Sequence, residues 1–219
     1  MRSRNPPTAA APRMSPDRLL LFLKAPRPGL VKTRLAAALG PAGAAHAYRL
    51  LVEVLLHRFA EIPSLELRFA PDDAADEIKP WLRAAWTLAP QGPGDLGARL
   101  TTAFAAAFAS GAERVVIIGS DCPDVSVCDV EFAWSALHTH DVVLGPATDG
   151  GYWLIGLRRP VPELFTAMPW STPQVFAETC ARCARHGLRL QLLRELTDID
   201  EPADWQAFTS RPITAATNP

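Results

Sequence analysis

Residues 19–35, LLLFLKAPRPGLVKTRL, constrain the fold of this chain more than any other stretch. Leu19, Leu20, Leu21, Phe22 and Leu23 form an unbroken apolar run, the pattern of a strand buried on both faces. Lys24 ends the run, and Pro26, Pro28 and Gly29 stiffen the loop that follows. Lys32, Thr33 and Arg34 then lead into an alanine- and leucine-rich helical pattern. Such a unit offers unpaired N–H groups and a positive helix end beside full positive charges, which suits a polyanion. The same residues also serve as a plain connection with solvent-facing cations, so the stretch acquires meaning only from its partners.

Strand and helix patterns alternate through the rest of the chain. Strands are predicted at 65–69, 86–89, 115–118, 141–144, 152–157 and 188–193. Helical spacing runs through 33–60, where Gly40, Pro41 and Gly43 predict a break into two helices. Further helices are predicted at 72–83, after the glycine loop 91–97, at 127–137, at 173–186 and near 203–208. This alternation predicts an α/β fold, a mostly parallel sheet with helices on both faces. One domain is expected over 18–208, between a disordered tail at 1–17 and a loose tail at 209–219. The N-terminal segment has no apolar centre and does not read as a signal peptide, and Met14 offers an alternative start.

Charge and cysteine usage narrow the function. The 22 Lys+Arg and 23 Asp+Glu leave a net charge of −1, so no nucleic-acid partner is expected and any anion site must be local. No apolar run approaches the roughly 18 residues of a membrane helix, so no membrane partner is expected either. Cys180 and Cys183 form C-x-x-C inside a helical pattern without a second ligand pair, which reads as reduced thiols in the cytoplasm rather than zinc. His138 and His140 have no accompanying motif, and Trp81, Trp86 and Trp134 read as core.

In open α/β sheets, ligands bind beyond the carboxyl ends of the strands. Lys24, Lys32 and Arg34 follow the first strand, Asp121 the strand at 115–118, Asp149 the next, and Asp198 and Asp200 the last. Cations and carboxylates converging on one edge would neutralise a phosphate chain with the help of a divalent metal. Gly92, Gly94 and Gly97 spell G-x-G-x-x-G, but Pro93 interrupts it and it follows the third strand, so no dinucleotide is expected. There is no P-loop motif and no G-x-S-x-G.

KAPRPGLVKTRL, IIGSDCPD, LGPATDGGYWLIGL, PWSTPQVF and LTDIDEPADW, in this order, resemble a bacterial GT-A-type glycosyltransferase-like family. It lies in the nucleotide-diphospho-sugar transferase superfamily, related to phospholactate guanylyltransferase and, more distantly, to molybdenum-cofactor nucleotidyltransferases. The resemblance covers about residues 19–205. It implies a GT-A fold, a three-layer α/β/α sandwich with a mainly parallel mixed sheet.

It also implies a transferase using Mg²⁺ or Mn²⁺. Lys32, Arg34 and Asp121 would be the catalytic residues, and Asp121, Asp198 and Asp200 the metal ligands. The nucleotide would lie on Lys24, Pro28, Gly29, Lys32, Arg34, Gln91, Gly92 and Ser120, and the acceptor on Asp149, Gly150, Gly151, Ser171 and Thr172. Sugar nucleotidyltransferases of this superfamily carry a glycine-rich first loop, and here prolines replace those glycines, leaving more to Lys24, Lys32 and Arg34.

The expected partners are a nucleoside triphosphate and a small phosphorylated or hydroxyl acceptor. A nucleotide-sugar donor, with Asp198-Ile199-Asp200 as a D-x-D motif, is the alternative. A non-catalytic nucleotide-binding module is the alternative of another class.

Overall fold

The computed structural model describes residues 16–211. Seven strands form one sheet: β1 (Asp17–Lys24), β2 (Leu65–Ala70), β3 (Thr87–Pro90), β4 (Arg114–Gly119), β5 (Val142–Pro146), β6 (Tyr152–Leu157) and β7 (Leu190–Leu192). Six helices accompany them: α1 (Ala36–Arg58), α2 (Ala75–Ile78), α3 (Leu96–Ala109), α4 (Val127–Ala136), α5 (Val175–Arg185) and α6 (Pro202–Thr209). The strand order is β3-β2-β1-β4-β6-β5-β7. Neighbours are parallel except at β6, which runs antiparallel to both β4 and β5.

The apolar run at 19–23 is explained by helices on both sides of the sheet. Leu19, Leu21 and Leu23 pack with Tyr48, Val52 and Leu55 of α1 and with Val130 and Ala133 of α4. Leu20 and Phe22 face the other way, toward Leu100 and Phe104 of α3 and Cys183 of α5. Alternation of side chains along each strand thus feeds two cores, giving the expected three layers. The starts of α3 and α4 are fixed by side chains. Asp95 accepts from the Ala98 N–H to open α3, and Ser126 and Asp129 form a capping box on α4.

Two expectations are corrected and a third is met. The first strand begins at Asp17, whose carboxylate lies 2.5 Å from Arg114, so the chain is ordered earlier than the 1–17 tail implied. Residues 1–15 and 212–219 lie outside the described residues, and α6 runs to Thr209. The helix expected at 72–83 is only α2 and a 3-10 turn, Lys79–Trp81. Pro80 lacks the N–H an α-helix needs there. Asp72 instead accepts from the Gly92 N–H, and Asp73 pairs with Arg27. The break expected at 40–43 is present: Gly40 is non-helical (φ 69°, ψ 164°), so α1 is two helical segments meeting at a kink.

The segment between β6 and α5 reaches the site by way of one buried arginine. Arg182 donates to the carbonyls of Glu163, Leu164, Thr166 and Ala167 and pairs with Glu178. Replacing it leaves the buried Leu164 carbonyl and three partly buried ones without their donor. Arg182→Met is expected to lower unfolding free energy by about 3 kcal/mol in chemical denaturation; a change below about 0.5 kcal/mol would show that this anchor is dispensable.

Candidate functional site

The chain leaves β1 outward through β2 and β3, then returns to β4 on the other side of β1. The loops after β1 and β4 therefore diverge from a topological switch point, where open α/β sheets form a crevice. A cavity of about 530 Å³ occupies it. Lys24, Lys32, Thr33 and Arg34 line it from the first loop, Ser120 and Asp121 from the loop after β4, and Asp198 and Asp200 from the turn after β7.

One wall is acidic. Ile199 is buried, and its N–H donates to the Asp121 carbonyl at 2.9 Å. That bond fastens the Asp198-Ile199-Asp200 turn to the end of β4. Lys32 Nζ lies 2.5 Å from Asp121 Oδ1 and 2.7 Å from Asp200 Oδ1, with 2 % of its side chain exposed. Burial pulls the Lys32 ammonium toward neutrality, but the two carboxylates more than offset this and raise its pKa. Asp198 is pushed up to about 7, first by burial and then by Asp121, Asp149 and Asp200, against a smaller opposing effect of Lys32.

The other wall is basic and polar. Lys24 is exposed, and its backbone N–H donates to the Tyr48 hydroxyl at 2.7 Å. Tyr48 in turn shares a 2.7 Å hydrogen bond with Ser120, so α1 clamps the ends of β1 and β4 together. Arg34 is exposed beside Glu201 at 3.5 Å. Gln91 is buried, with Nε2 donating to the Leu23 and Arg68 carbonyls at 3.0 Å each. Two carbonyl acceptors fix which end of the amide carries nitrogen. Only Gln91 Oε1 remains, and Arg99 approaches it at 3.4 Å.

Not every predicted residue reaches the cavity. Pro28 and Gly29 stand at the exposed loop tip, which Arg27 ties to Asp73 and Glu77. Gly92 lies outside the lining, as do Asp149, Gly150, Gly151 and Thr172, while Ser171 belongs to it. A Cβ on Gly150 would meet the Pro173 carbonyl oxygen at 2.3 Å, and the Phe176 N–H donates to the Gly150 carbonyl. The Asp149-Gly150-Gly151 turn thus packs on the start of α5. Gly97 of the glycine loop has the same use: a Cβ there would lie 2.6 Å from the Phe165 carbonyl oxygen.

Tyr48, Arg99, Tyr152 and Trp153 are among the lining residues that the sequence reading does not name as site residues. A signal existed, because the chain has 2 tyrosines and both border this cavity. Cys122, beside Asp121, is buried, and its thiol is pushed up to about 12 by that burial and then by Asp198. It is a packing residue, not a nucleophile.

The Asp198 shift sets a pH dependence. Folded Asp198 keeps its proton to about 7, whereas the unfolded side chain releases it near 3.8. Between those values the folded state binds more protons, so stability falls as pH rises and the loss is complete above about 8. From pH 5 to 8 the wild type should lose about 2 kcal/mol more than Asp198→Asn, as measured by denaturant titration at each pH. Parallel curves for the two proteins would show that Asp198 is not the titrating group.

Comparisons with known proteins agree with this architecture. Residues 57–172 match the family described as "Uncharacterized protein conserved in bacteria (DUF2064)". A crystal structure from Desulfovibrio desulfuricans G20, provisionally named a nucleotide-diphospho-sugar transferase, superimposes with a TM-score of 0.85 at 36% identity. The match covers 90% of this chain and 87% of that one. The 4-diphosphocytidyl-2C-methyl-D-erythritolsynthase of Anaerococcus prevotii DSM 20548 shares the fold, with a TM-score of 0.59 at 11% identity over 90% of this chain and 100% of that one. The 3-phospho-D-glycerate guanylyltransferase of Phenylobacterium zucineum (strain HLK1) is 35% identical over 120 residues. That match covers 49% of this chain, and the chain spans about half the length (51%) of that curated relative. The fold is that of the nucleotide-diphospho-sugar transferases, and the chain belongs to the DUF2064 family.

Proposed function

We propose that this protein is a transferase that moves a nucleotidyl group from a nucleoside triphosphate to a small phosphorylated or hydroxyl acceptor. The observation that carries this reading is the division of the cavity. Cationic groups from the first loop and α3 face carboxylates from the turns after β4 and β7. The matches to a guanylyltransferase and to a nucleotide-diphospho-sugar transferase support it. Free thiols at all four cysteines suit a cytoplasmic setting, and among the described residues no helix is long and apolar enough to cross a membrane.

The residues also suit Mg²⁺ or Mn²⁺. Among the described residues no group of three or more histidine, cysteine, aspartate or glutamate side chains is placed to hold a metal ion by itself. Mg²⁺ needs none, since one or two carboxylates, substrate phosphates and water complete its shell. Asp121 and Asp200 would hold it, with Asp198 behind them. Bound there, the metal would neutralise phosphate charge as the reaction proceeds.

The chain's own groups do the remainder. Lys24, Lys32 and Arg34 hold the phosphates, and Ser120 is kept in place by Tyr48. Gln91 fixes the loop that flanks the base, leaving its Oε1 and Arg99 for recognition. On the acceptor side, Ser171 lines the cavity, and Asp149, Gly150, Gly151 and Thr172 support it from behind. An acceptor oxygen attacks the α-phosphorus, the bond to the bridging oxygen breaks, and pyrophosphate leaves. Catalysis on this plan is positioning and charge stabilisation.

A nucleotide-sugar donor remains the second reading, because Asp198 and Asp200 of the D-x-D turn both line the cavity. The product decides: nucleotidyl transfer releases pyrophosphate, and glycosyl transfer releases a nucleoside diphosphate. With GTP or CTP, Mg²⁺ and a panel of phosphorylated acids and alcohols, pyrophosphate release is expected. Asp121→Ala should reduce it by about 10³-fold, a loss of about 4 kcal/mol. Release of nucleoside diphosphate from nucleotide sugars alone would overturn nucleotidyl transfer. Turnover undiminished in Asp121→Ala would overturn the role of Asp121.

A further inference from the structure

Lys32 is placed unlike the other cations of this chain. The sequence carries three lysines, Lys24, Lys32 and Lys79, against nineteen arginines. Lys24 and Lys79 are exposed, whereas the Lys32 side chain is 2 % exposed between Asp121 and Asp200. Its backbone lies in the left-handed region at φ 48°, a conformation rarely held by a residue with a long side chain. In this arrangement the Lys32 ammonium faces carboxylates and is withdrawn from a phosphate in the cavity. The sequence pattern had given Lys32 to the phosphates and both carboxylates to a metal. The three groups instead satisfy one another.

We propose that Lys32 is the resident counter-ion of the Asp121–Asp200 pair, which it and a divalent cation occupy in alternation, and that Lys32 turns to a nucleotide phosphate only when the cation has replaced it. This rests on the reading of the site as a metal-dependent nucleotidyltransferase. The carboxylates are the fixed partner, because the Ile199 N–H bond to the Asp121 carbonyl fastens their two turns together. Lys32 is the movable one, a compact charge on a four-carbon stem with freely rotating bonds. Asp149 lies close enough to this turn to act on Asp198 together with Asp121 and Asp200, so negative charge is concentrated around whichever cation sits there. An ammonium supplies one positive charge and a divalent ion two, so a divalent ion displaces the ammonium on its own, and a phosphate that receives the freed ammonium makes the exchange more favourable still. Cation and triphosphate then assist each other, and by linkage each raises the other's affinity by the same factor.

Two measurements test the exchange. Mn²⁺ binding without nucleotide, followed by the paramagnetic resonance of the free ion, should be at least ten-fold tighter in Lys32→Met than in the wild type. Equal or weaker binding by a folded Lys32→Met would overturn the proposal. The second measurement uses the unaltered protein and so does not depend on the variant folding. Reductive methylation mapped by mass spectrometry should label Lys24 and Lys79 readily and Lys32 slowly. Mg²⁺ alone should then accelerate labelling of Lys32 several-fold without changing the other two. Lys32 labelling that Mg²⁺ leaves unchanged or slows would overturn the proposal. Pyrophosphate release together with a protected Lys32 would leave nucleotidyl transfer standing and remove only the exchange. A liberated Lys32 without turnover would do the reverse.

Discussion

One ammonium joins the two ends of this chain. Lys32, in the first loop, and Asp200, 168 residues later, meet over the switch point of the sheet, with Asp121 from the middle of the sequence beside them. The Lys32 end of the pairing is buried while Asp121 and Asp200 keep contact with solvent, so the ammonium is the partner for which losing the pair is costly. Carboxylates brought together by three separate turns would otherwise repel, and Asp198, whose pKa is raised first by burial, is raised further by Asp121, Asp149 and Asp200. The crevice is therefore a place where the fold concentrates negative charge and sets the Lys32 ammonium between two of its carboxylates.

The surroundings of that group are comparatively stiff. Tyr48 links α1 to the ends of β1 and β4, Gln91 links the glycine loop to β1 and β2, and Arg182 holds the segment before α5. Each is a polar side chain carried into or beside the core to satisfy backbone groups at the rim of the sheet. Hydrogen bonds of this kind contribute about 1 kcal/mol each, but leaving their partners unmade costs more. They fix the positions of strand ends, which is where the cavity-lining residues are attached. Stability and site geometry are consequently the same set of contacts at this edge of the sheet.

The sheet was largely legible because its central strands are buried on both faces, so β1 and β4 appear as uninterrupted apolar runs. The convergence of Lys32, Asp121 and Asp200 was also legible, since residues after successive parallel strands share one edge. What the sequence hid were choices between partners. Gln91 has the chemistry to read a base, yet its nitrogen is committed to two carbonyls. The Asp149-Gly150-Gly151 turn looks like a ligand loop, yet Gly150 is required by the closeness of Pro173. Tyr48 and Arg99 were masked by the helical periodicity around them, which accounts for their neighbours and says nothing of a polar tip at the cavity wall.

The prolines of the first loop follow the same logic. A glycine-rich loop brings backbone N–H groups close to phosphates and needs few charges. In this chain Pro26 and Pro28 take away N–H donors, and Arg27 spends its charge on Asp73 and Glu77 to hold the loop down. Recognition of a polyanion then falls to side chains, and the best-placed of these, Lys32, is engaged elsewhere until something displaces it. A loop that binds through side-chain charge is more dependent on the cations around it than one that binds through its backbone. On the proposed function, the substitution of proline for glycine and the burial of Lys32 between two aspartates belong together, because the loop's affinity for phosphate would then be set by what occupies the carboxylates opposite it.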